Sequence, residues 1–488
     1  MHPIYFAIIL LISCTFKPHH EPNDINPIKF TIDSSPRHKI KKQFLSFAID
    51  AALISGGKWW DDTDTIKNGR GATNSKPLDL KNQTLINLMK RFTPMVLRIG
   101  GSEADHLYYD LQNSGVTPNN FDSSINTLRL DELIHFSELI GADLLFTINA
   151  GPANRKNGKW IPDQYLELLN YLNSKNHKIA YLEFGNEVSS YFATDGLKHI
   201  VSSDQYLEDL KLFKTLTSKH YPDAKTVGPA SAFWPIVGEP MGLFFGLMET
   251  VIKNKATDIL SYHYYPTQSS RCTPFILRPL KKDSFFNPEY LDEFDHLAKS
   301  LNKLKKKYKS KSELWLGETG SAQCGGQREI SDTIHSSFWW LDQLGLAARN
   351  KKAVVIRQSI IGGDYAILND DFTPRADYYA SLLWKQYMGS IALPLSEIKD
   401  KKIRAYAHCN ESKHVSFLLI NLRNSSKKID FSNLQLPQLQ ALEFIKNNKR
   451  IQNSAILNKK IPLIENSYTL EGSSISFLSS NSPSRLCD

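Results

Sequence analysis

The chain has 488 residues, 41% of them hydrophobic, with 59 Lys or Arg against 50 Asp or Glu. That is enough apolar material for a sizeable core in more than one domain, and the lack of a fixed-period repeat or a long low-complexity run excludes a repeat architecture. The formal charge of +9 fits an anionic polysaccharide, nucleic acid or membrane surface as partner, and equally a solvated basic surface.

Ile4 to Ile12 is an apolar run too short to span a bilayer as a helix. It reads as the core of a secretory signal over residues 1–14. The run ends Leu11-Ile12-Ser13-Cys14, a pattern like a bacterial lipobox with Cys14 as the lipidated residue; a eukaryotic signal peptide is the alternative. Either way the chain is expected outside the cytosol, anchored to a membrane as a lipoprotein or secreted. Residues 15–43 read as a polar, Pro-rich linker followed by an alternating strand at Ile28 to Ile32 that completes a later sheet.

From residue 44 strand patterns alternate with helical ones. Eight short, almost continuously apolar stretches stand out: 44–51, 95–100, 143–149, 178–184, 225–229, 258–264, 313–317 and 353–358. Strands buried on both faces look like this. Eight βα units over 44–390 predict an α/β fold, a (β/α)8 TIM barrel. Polar residues gather where these stretches end: Asp50, Arg98, Asn149, Asn186 with Glu187, His263 with Tyr264, Glu318, and Arg357 with Gln358. That rim is where barrel enzymes carry their sites. Lysines 303, 305, 306, 307, 309 and 311 form a helix-like cluster that reads as a solvated face. Beyond 390 the periodicity changes to short alternating strands, among them 403–408, 415–421, 439–444 and 474–478, so 391–488 is expected to be an antiparallel β-sandwich.

Besides Cys14 there are four cysteines, Cys272, Cys324, Cys409 and Cys487. Four allow three pairings, and the sequence does not choose. There is no Cys-x-x-Cys pair, so no structural zinc site is expected, and no metal or cofactor is called for.

Two stretches share one grammar. Residues 179–187 and 313–321 each run through an apolar strand into glycine and a glutamate, Glu187 and Glu318. In a barrel their strands, the fourth and seventh, face each other across the axis. Two carboxylates flanking one bond is the chemistry of glycoside hydrolysis. Asn186 suits a sugar 2-hydroxyl, and Tyr264, on the strand beside that of Glu318, is expected to hydrogen-bond that acid.

These residues also carry a resemblance. Trp315-Leu316-Gly317-Glu318-Thr319 with Gly325-Gly326, the run 338–345, Arg357-Gln358-Ser359 with Gly362-Gly363-Asp364-Tyr365, and 403–409 resemble the heparanase family, glycoside hydrolase family 79. The resemblance extends over roughly residues 44 to 487. It implies a retaining glucuronidase with Glu187 as acid/base and Glu318 as nucleophile. It implies that Tyr365 and backbone amides near Gly325 and Gly363, with Gln358 alongside, hold the glucuronate carboxylate, and that Asp50 and Ser102 contact sugar hydroxyls. It also implies a Cys409–Cys487 disulfide. Cys272 and Cys324 follow neighbouring strands, and a second disulfide is expected there.

The sequence departs from animal heparanase in ways that bear on substrate. The family's basic sulfate contacts are replaced by Val188-Ser189-Ser190-Tyr191-Phe192 and by Ala230-Ser231-Ala232-Phe233-Trp234-Pro235, leaving Arg271 as one basic candidate. Only Asp110 to Thr127 stands where the animal enzymes carry a segment removed on maturation. Trp59-Trp60 either stacks on sugar or packs its loop onto the barrel. The expected activity is endo cleavage of β-glucuronidic bonds in a heparan-sulfate-like acidic glycan by a monomer. Exo release of terminal glucuronate from glycans or small glucuronides is the alternative within the class. A catalytically silent glycan-binding protein is the alternative outside it, and nucleic-acid binding has no motif behind it.

Overall fold

The computed structural model describes residues 26–33, 36–60, 71, 73–233, 239, 246–272, 277–396, 398–450, 461–462 and 466–488. Cys14 and the signal segment lie outside them. No helix among the described residues is long and apolar enough to cross a membrane.

Two short strands come first, β1 (Ile28–Lys29) and β2 (His38–Lys39). The barrel follows: β3 (Leu45–Asp50), β4 (Met95–Gly100), β5 (Ala142–Ile148), β6 (Tyr181–Phe184), β7 (Lys225–Phe233), β8 (Ile259–Tyr264), β9 (Glu313–Thr319) and β10 (Val355–Gln358). All pair in parallel in chain order, and β10 pairs back onto β3 to close the ring. The closed (β/α)8 barrel agrees with the eight strands read from the sequence.

Side chains alternate across each strand, so the interior is layered. At the floor Ala48, Val96, Leu145, Val227, Ile259, Trp315 and Ile356 form one apolar cluster. Two residues further along several of the same strands come Arg98, Thr147, Glu183 and Ser261, all buried. The next inward step carries Asp50, His263 and Gln358. Outward-facing residues pack under the helices in the largest core cluster. Arg357 is one of these: it points out of the barrel, lies between the rings of Trp339 and Trp340 at 4.9 and 4.8 Å, and donates to Asp377 Oδ2 at 2.8 Å.

The second body is built from β11 (Ile391–Leu393), β12 (Ile403–Cys409), β13 (Val415–Asn421), β14 (Lys427–Asp430), β15 (Leu439–Lys446), β16 (Ser467–Leu470) and β17 (Ser474–Ser480). One sheet runs β2–β11–β12–β13–β17–β15, all antiparallel pairs, and the other β1–β14–β16. Phe30, Phe417 and Phe431 fill the space between them, with ring centroids 5.1 to 6.4 Å apart. Cys409 is bonded to Cys487.

A buried polar cluster joins the two bodies. Arg404 on β12 donates through Nε and Nη2 to both oxygens of Asp342, at 2.8 and 3.2 Å, and through Nη1 to Asp292 at 2.8 Å. The Tyr406 hydroxyl donates to Asp342 at 2.6 Å. Asp342 lies on the barrel helix Ser336–Arg349, so one carboxylate fastens the sandwich to the barrel. Asp342→Ala leaves a guanidinium and a phenol buried without that acceptor. It is expected to cost about 3–5 kcal/mol, read as a lowered urea midpoint; an unchanged midpoint would mean the joint bears no such strain.

Candidate active site

The mouth at the C-terminal ends of the barrel strands holds a cavity of about 450 Å³. Asp50, Ser102, Asn186, Glu187, Glu318, Gln358 and Tyr365 all line it.

Arg98 organises its floor. Fully buried on β4, it donates through Nε to Glu183 Oε2 at 2.8 Å, through Nη1 to Glu318 Oε2 at 2.6 Å and through Nη2 to Asn186 Oδ1 at 2.8 Å. The two carboxylates raise its basicity further, outweighing burial. Thr147 and Ser261 hydroxyls donate to Glu183 as well, at 2.8 and 3.1 Å. Asn186 Oδ1 also accepts from the Gly101 N–H at 3.2 Å, so its amide Nδ2 is the group left for the cavity. Gly100 is obligatory here, because a Cβ would overlap the Arg98 guanidinium.

Glu318 reaches the interior through an irregularity. The β8–β9 register shifts between Tyr262 and His263, which sets His263 opposite Glu318. Gly317 permits this, since a Cβ there would overlap Ser261 Oγ. The Tyr265 hydroxyl donates to Glu318 Oε1 at 2.6 Å. Both carboxylate oxygens of Glu318 therefore carry a donor.

Tyr264, expected to make that bond, does not. Ser261, His263 and Tyr265 share the inward phase of their strand, and Tyr264 falls on the opposite one. Its ring packs outward on Phe294 at 5.3 Å between centroids, and its hydroxyl is buried without a partner. The inward alternation of polar and aromatic residues at 261, 263 and 265 was the signal available in the sequence.

Glu187 follows β6 with a left-handed backbone, φ 50° and ψ 42°, a conformation that non-glycine residues adopt at a cost and hold only where neighbours fix it. Its N–H donates to the Ala230 carbonyl at 3.2 Å, and Ala230, at the β7 bulge, is left-handed too. His263 Nδ1 lies 3.0 Å from Glu187 Oε1. Burial, reinforced by the Arg98 charge, holds His263 well below the usual histidine range, so the imidazole is neutral. Its Nε2 has no partner. A buried N–H without an acceptor is the costlier arrangement, so the proton sits on Nδ1 and is donated to Glu187.

Donor atoms of Glu187, His263 and Glu318 lie within 4.8 Å of one another, the one such cluster among the described residues able to hold a metal ion. Arg98 already supplies the positive charge at this point, and Glu318 has both oxygens engaged.

Asp50 accepts from Ala52 N–H at 3.0 Å and from Gln358 Nε2 at 3.3 Å. Burial pushes its carboxyl well above the usual range. The loops after β9 and β10 meet backbone to backbone: the N–H groups of Asp364 and Tyr365 donate to the Gly325 carbonyl at 2.6 and 3.4 Å. Gly325 and Gly363 thus stack behind the cavity wall and do not line it, and the amides of Asp364 and Tyr365 are taken. Of the amides expected to face the substrate, those of Asp364 and Tyr365 are therefore engaged within the protein. Cys272 is bonded to Cys324, which ties the β8 and β9 loops. Arg271, the basic candidate left in that loop, is buried; it donates to the Gly326 carbonyl at 2.7 Å and pairs with Asp364 at 2.7 Å. The two tryptophans differ in position: Trp59 packs on Gly362, while Trp60 lies over Gly325 and lines the cavity.

Comparison with known proteins places this geometry. Heparanase-like protein 1 of Arabidopsis thaliana is 31% identical over 396 residues, covering 75% of this chain and 69% of that protein. Baicalin-beta-D-glucuronidase of Scutellaria baicalensis is 27% identical over 380 residues, covering 70% and 69%. Among solved structures, a GH51 arabinofuranosidase from Xanthomonas axonopodis pv. citri superposes with a TM-score of 0.64 at 16% identity, over 93% of this chain and 99% of that one, a likeness of fold. The N-terminal domain of glycosyl hydrolase family 79 matches residues 49–345. The chain belongs to glycosyl hydrolase family 79.

Proposed function

We propose that the protein hydrolyses β-glucuronidic bonds with retention of configuration, with Glu187 as acid/base and Glu318 as nucleophile. The observation that carries this reading is the approach of the two acids: their nearest oxygens lie within 4.8 Å. Retaining enzymes need carboxyl groups about 5–5.5 Å apart, whereas inverting ones leave room for a water at about 6.5–9.5 Å. Glu187 gives its proton to the glycosidic oxygen as the C1–O bond breaks, and a Glu318 oxygen forms the ester to C1. Glu187 then takes a proton from water, the water oxygen bonds C1, and the ester bond to Glu318 breaks. Arg98 and Tyr265 orient the nucleophile, and His263 fixes the acid/base.

The substrate assignment rests on the family and on the relative named for glucuronide cleavage. Asp50, Gln358 and Tyr365 form the glycone side, where a carboxyl, an amide and a phenol are at hand to bind the glucuronate. Endo cleavage of an acidic glycan accords with the family name of the relatives. Exo removal of terminal glucuronate is favoured by one observation, the Trp60 ring that packs on Gly325 and lines the cavity beside Tyr365. The two disulfides fit an oxidising compartment outside the cytosol, with lipidation of Cys14 as the proposed anchor.

Glu318→Gln is expected to lower the rate on an aryl β-D-glucuronide by on the order of 10³ or more. Proton NMR of the first product should show the β-anomer. An α-anomer, or a variant as active as wild type, overturns the mechanism; no turnover by wild type would leave the silent glycan-binding reading standing. Tyr265→Phe removes one of two donors to the nucleophile and should cost roughly 10²-fold in kcat/KM. Tyr264→Phe should leave kcat/KM unchanged, and the reverse ranking would restore the role to Tyr264.

A further inference from the structure

The cavity described above has two chemically different sides. Its glycone side carries Asp50, Gln358 and Tyr365 from β3, β10 and the loop after it. Its other side is built from the segment that follows Glu187 and from the loop after β8, and supplies Phe192, Ala193, Leu197 and Leu277 together with polar Thr194 and Gln268. Leu197 is 73% exposed and Leu277 55%, so packing within the protein does not account for either. The general acid protonates the leaving oxygen, so the leaving group extends along the segment that carries Glu187. That segment is mainly apolar, three of its four lining residues being Phe192, Ala193 and Leu197.

Among the described residues, cations are missing from the same place. No Lys, Arg or His lines the cavity among the described residues. Arg98 is spent on three acceptors in the floor, and Arg271 is spent on Gly326 and Asp364. Arg278, next to Leu277, is held by both oxygens of Glu293 at 2.6 and 2.7 Å. Lys198, next to Leu197, is exposed outside the lining. A sulfated sugar at the leaving-group side would meet leucine and phenylalanine in place of the counter-charges that its sulfates require.

We infer that the leaving-group side of this site takes an apolar, ring-sized aglycone, so that the substrates are glucuronides of aryl or similar hydrophobic alcohols in preference to sulfated glycan chains. This rests on the glucuronidase reading above. Flat rings lie against aliphatic side chains without desolvating any charge, and each buried CH₂ equivalent is worth about fourfold in binding.

The test compares kcat/KM for phenyl and 2-naphthyl β-D-glucuronides and for a heparan sulfate oligosaccharide, with wild type and the Leu197→Ser/Leu277→Ser double variant. Both leucines are exposed, and circular dichroism with a thermal midpoint verifies the fold. The naphthyl glucuronide is expected to exceed the phenyl one by roughly tenfold and to exceed the oligosaccharide by more, and the naphthyl-to-phenyl ratio should fall towards one in the double variant. A wild-type ratio near one, a ratio untouched by the double variant, or faster cleavage of the sulfated oligosaccharide overturns the inference while leaving the enzyme a glucuronidase. Inertness of every glucuronide would overturn both.

Discussion

One buried guanidinium underlies the active site. Arg98 sits inside the barrel with no exposure and makes charge-assisted bonds to Glu183, Glu318 and Asn186. A charge in such a place is tolerated only when its partners are complete, and deleting one partner of a buried pair typically costs 3–5 kcal/mol. The arrangement therefore fixes several features at once. Glu183, which faces no substrate, anchors the guanidinium from below. Gly100 and Gly101 keep the adjacent backbone bare, so that Arg98 and Asp50 can occupy the space a Cβ would fill. Asn186 is turned by its oxygen towards the interior, which presents its amide to the cavity. Electrostatic groups set in place before substrate arrives need no reorganisation during the reaction.

Much of this was legible in the sequence because burial leaves a simple trace. Eight apolar runs with polar residues at one end specify a barrel and the rim that works, and Glu187 and Glu318 stand out as acids that terminate such runs. What the runs do not show is phase. Reading Tyr264, the last residue of β8, as the partner of Glu318 puts the strand one residue out, and a shift of one residue exchanges inside for outside. The alternation Ser261, His263, Tyr265 carries that phase, as does the period-two spacing of Val96, Arg98 and Gly100. Arg98 and Glu183 could have been paired by the same logic: each is a lone charge of opposite sign in an apolar parallel strand, where an unpaired charge is too costly to keep. The stacking of Gly325 on Gly363 has no such trace, since it depends on two loops meeting in space. The brief strands β14 and β16 escaped for a related reason: four residues with weak alternation gain their identity from distant partners.

One cluster of positive charge has a definite place along the barrel axis. Barrel helices run back from the mouth, so their C-terminal turns lie at the opposite end. The helix Pro288–Lys307 ends in Lys305, Lys306 and Lys307, with Lys309 and Lys311 just before β9 begins. Cations at helix C-termini complement the helix dipole, which gives these lysines a structural reason for their positions. The cavity at the mouth, by contrast, is lined among the described residues by carboxylates, neutral polar groups and apolar groups. This lysine cluster is thus located away from the chemistry.

The sandwich draws strands from both sides of the barrel in the chain. Ile28 pairs with Ile429, and Lys39 with Ile391, so the barrel sequence is threaded between two halves of a single sheet system. During synthesis every barrel strand leaves the ribosome before the partners of β1 and β2 exist. The barrel can complete its ring of sequential neighbours while those two segments wait, and the long-range pairings, which cost the most chain entropy to close, come last. Two-residue strands suit such a delay, because so short an exposed edge gives a passing chain little to pair with.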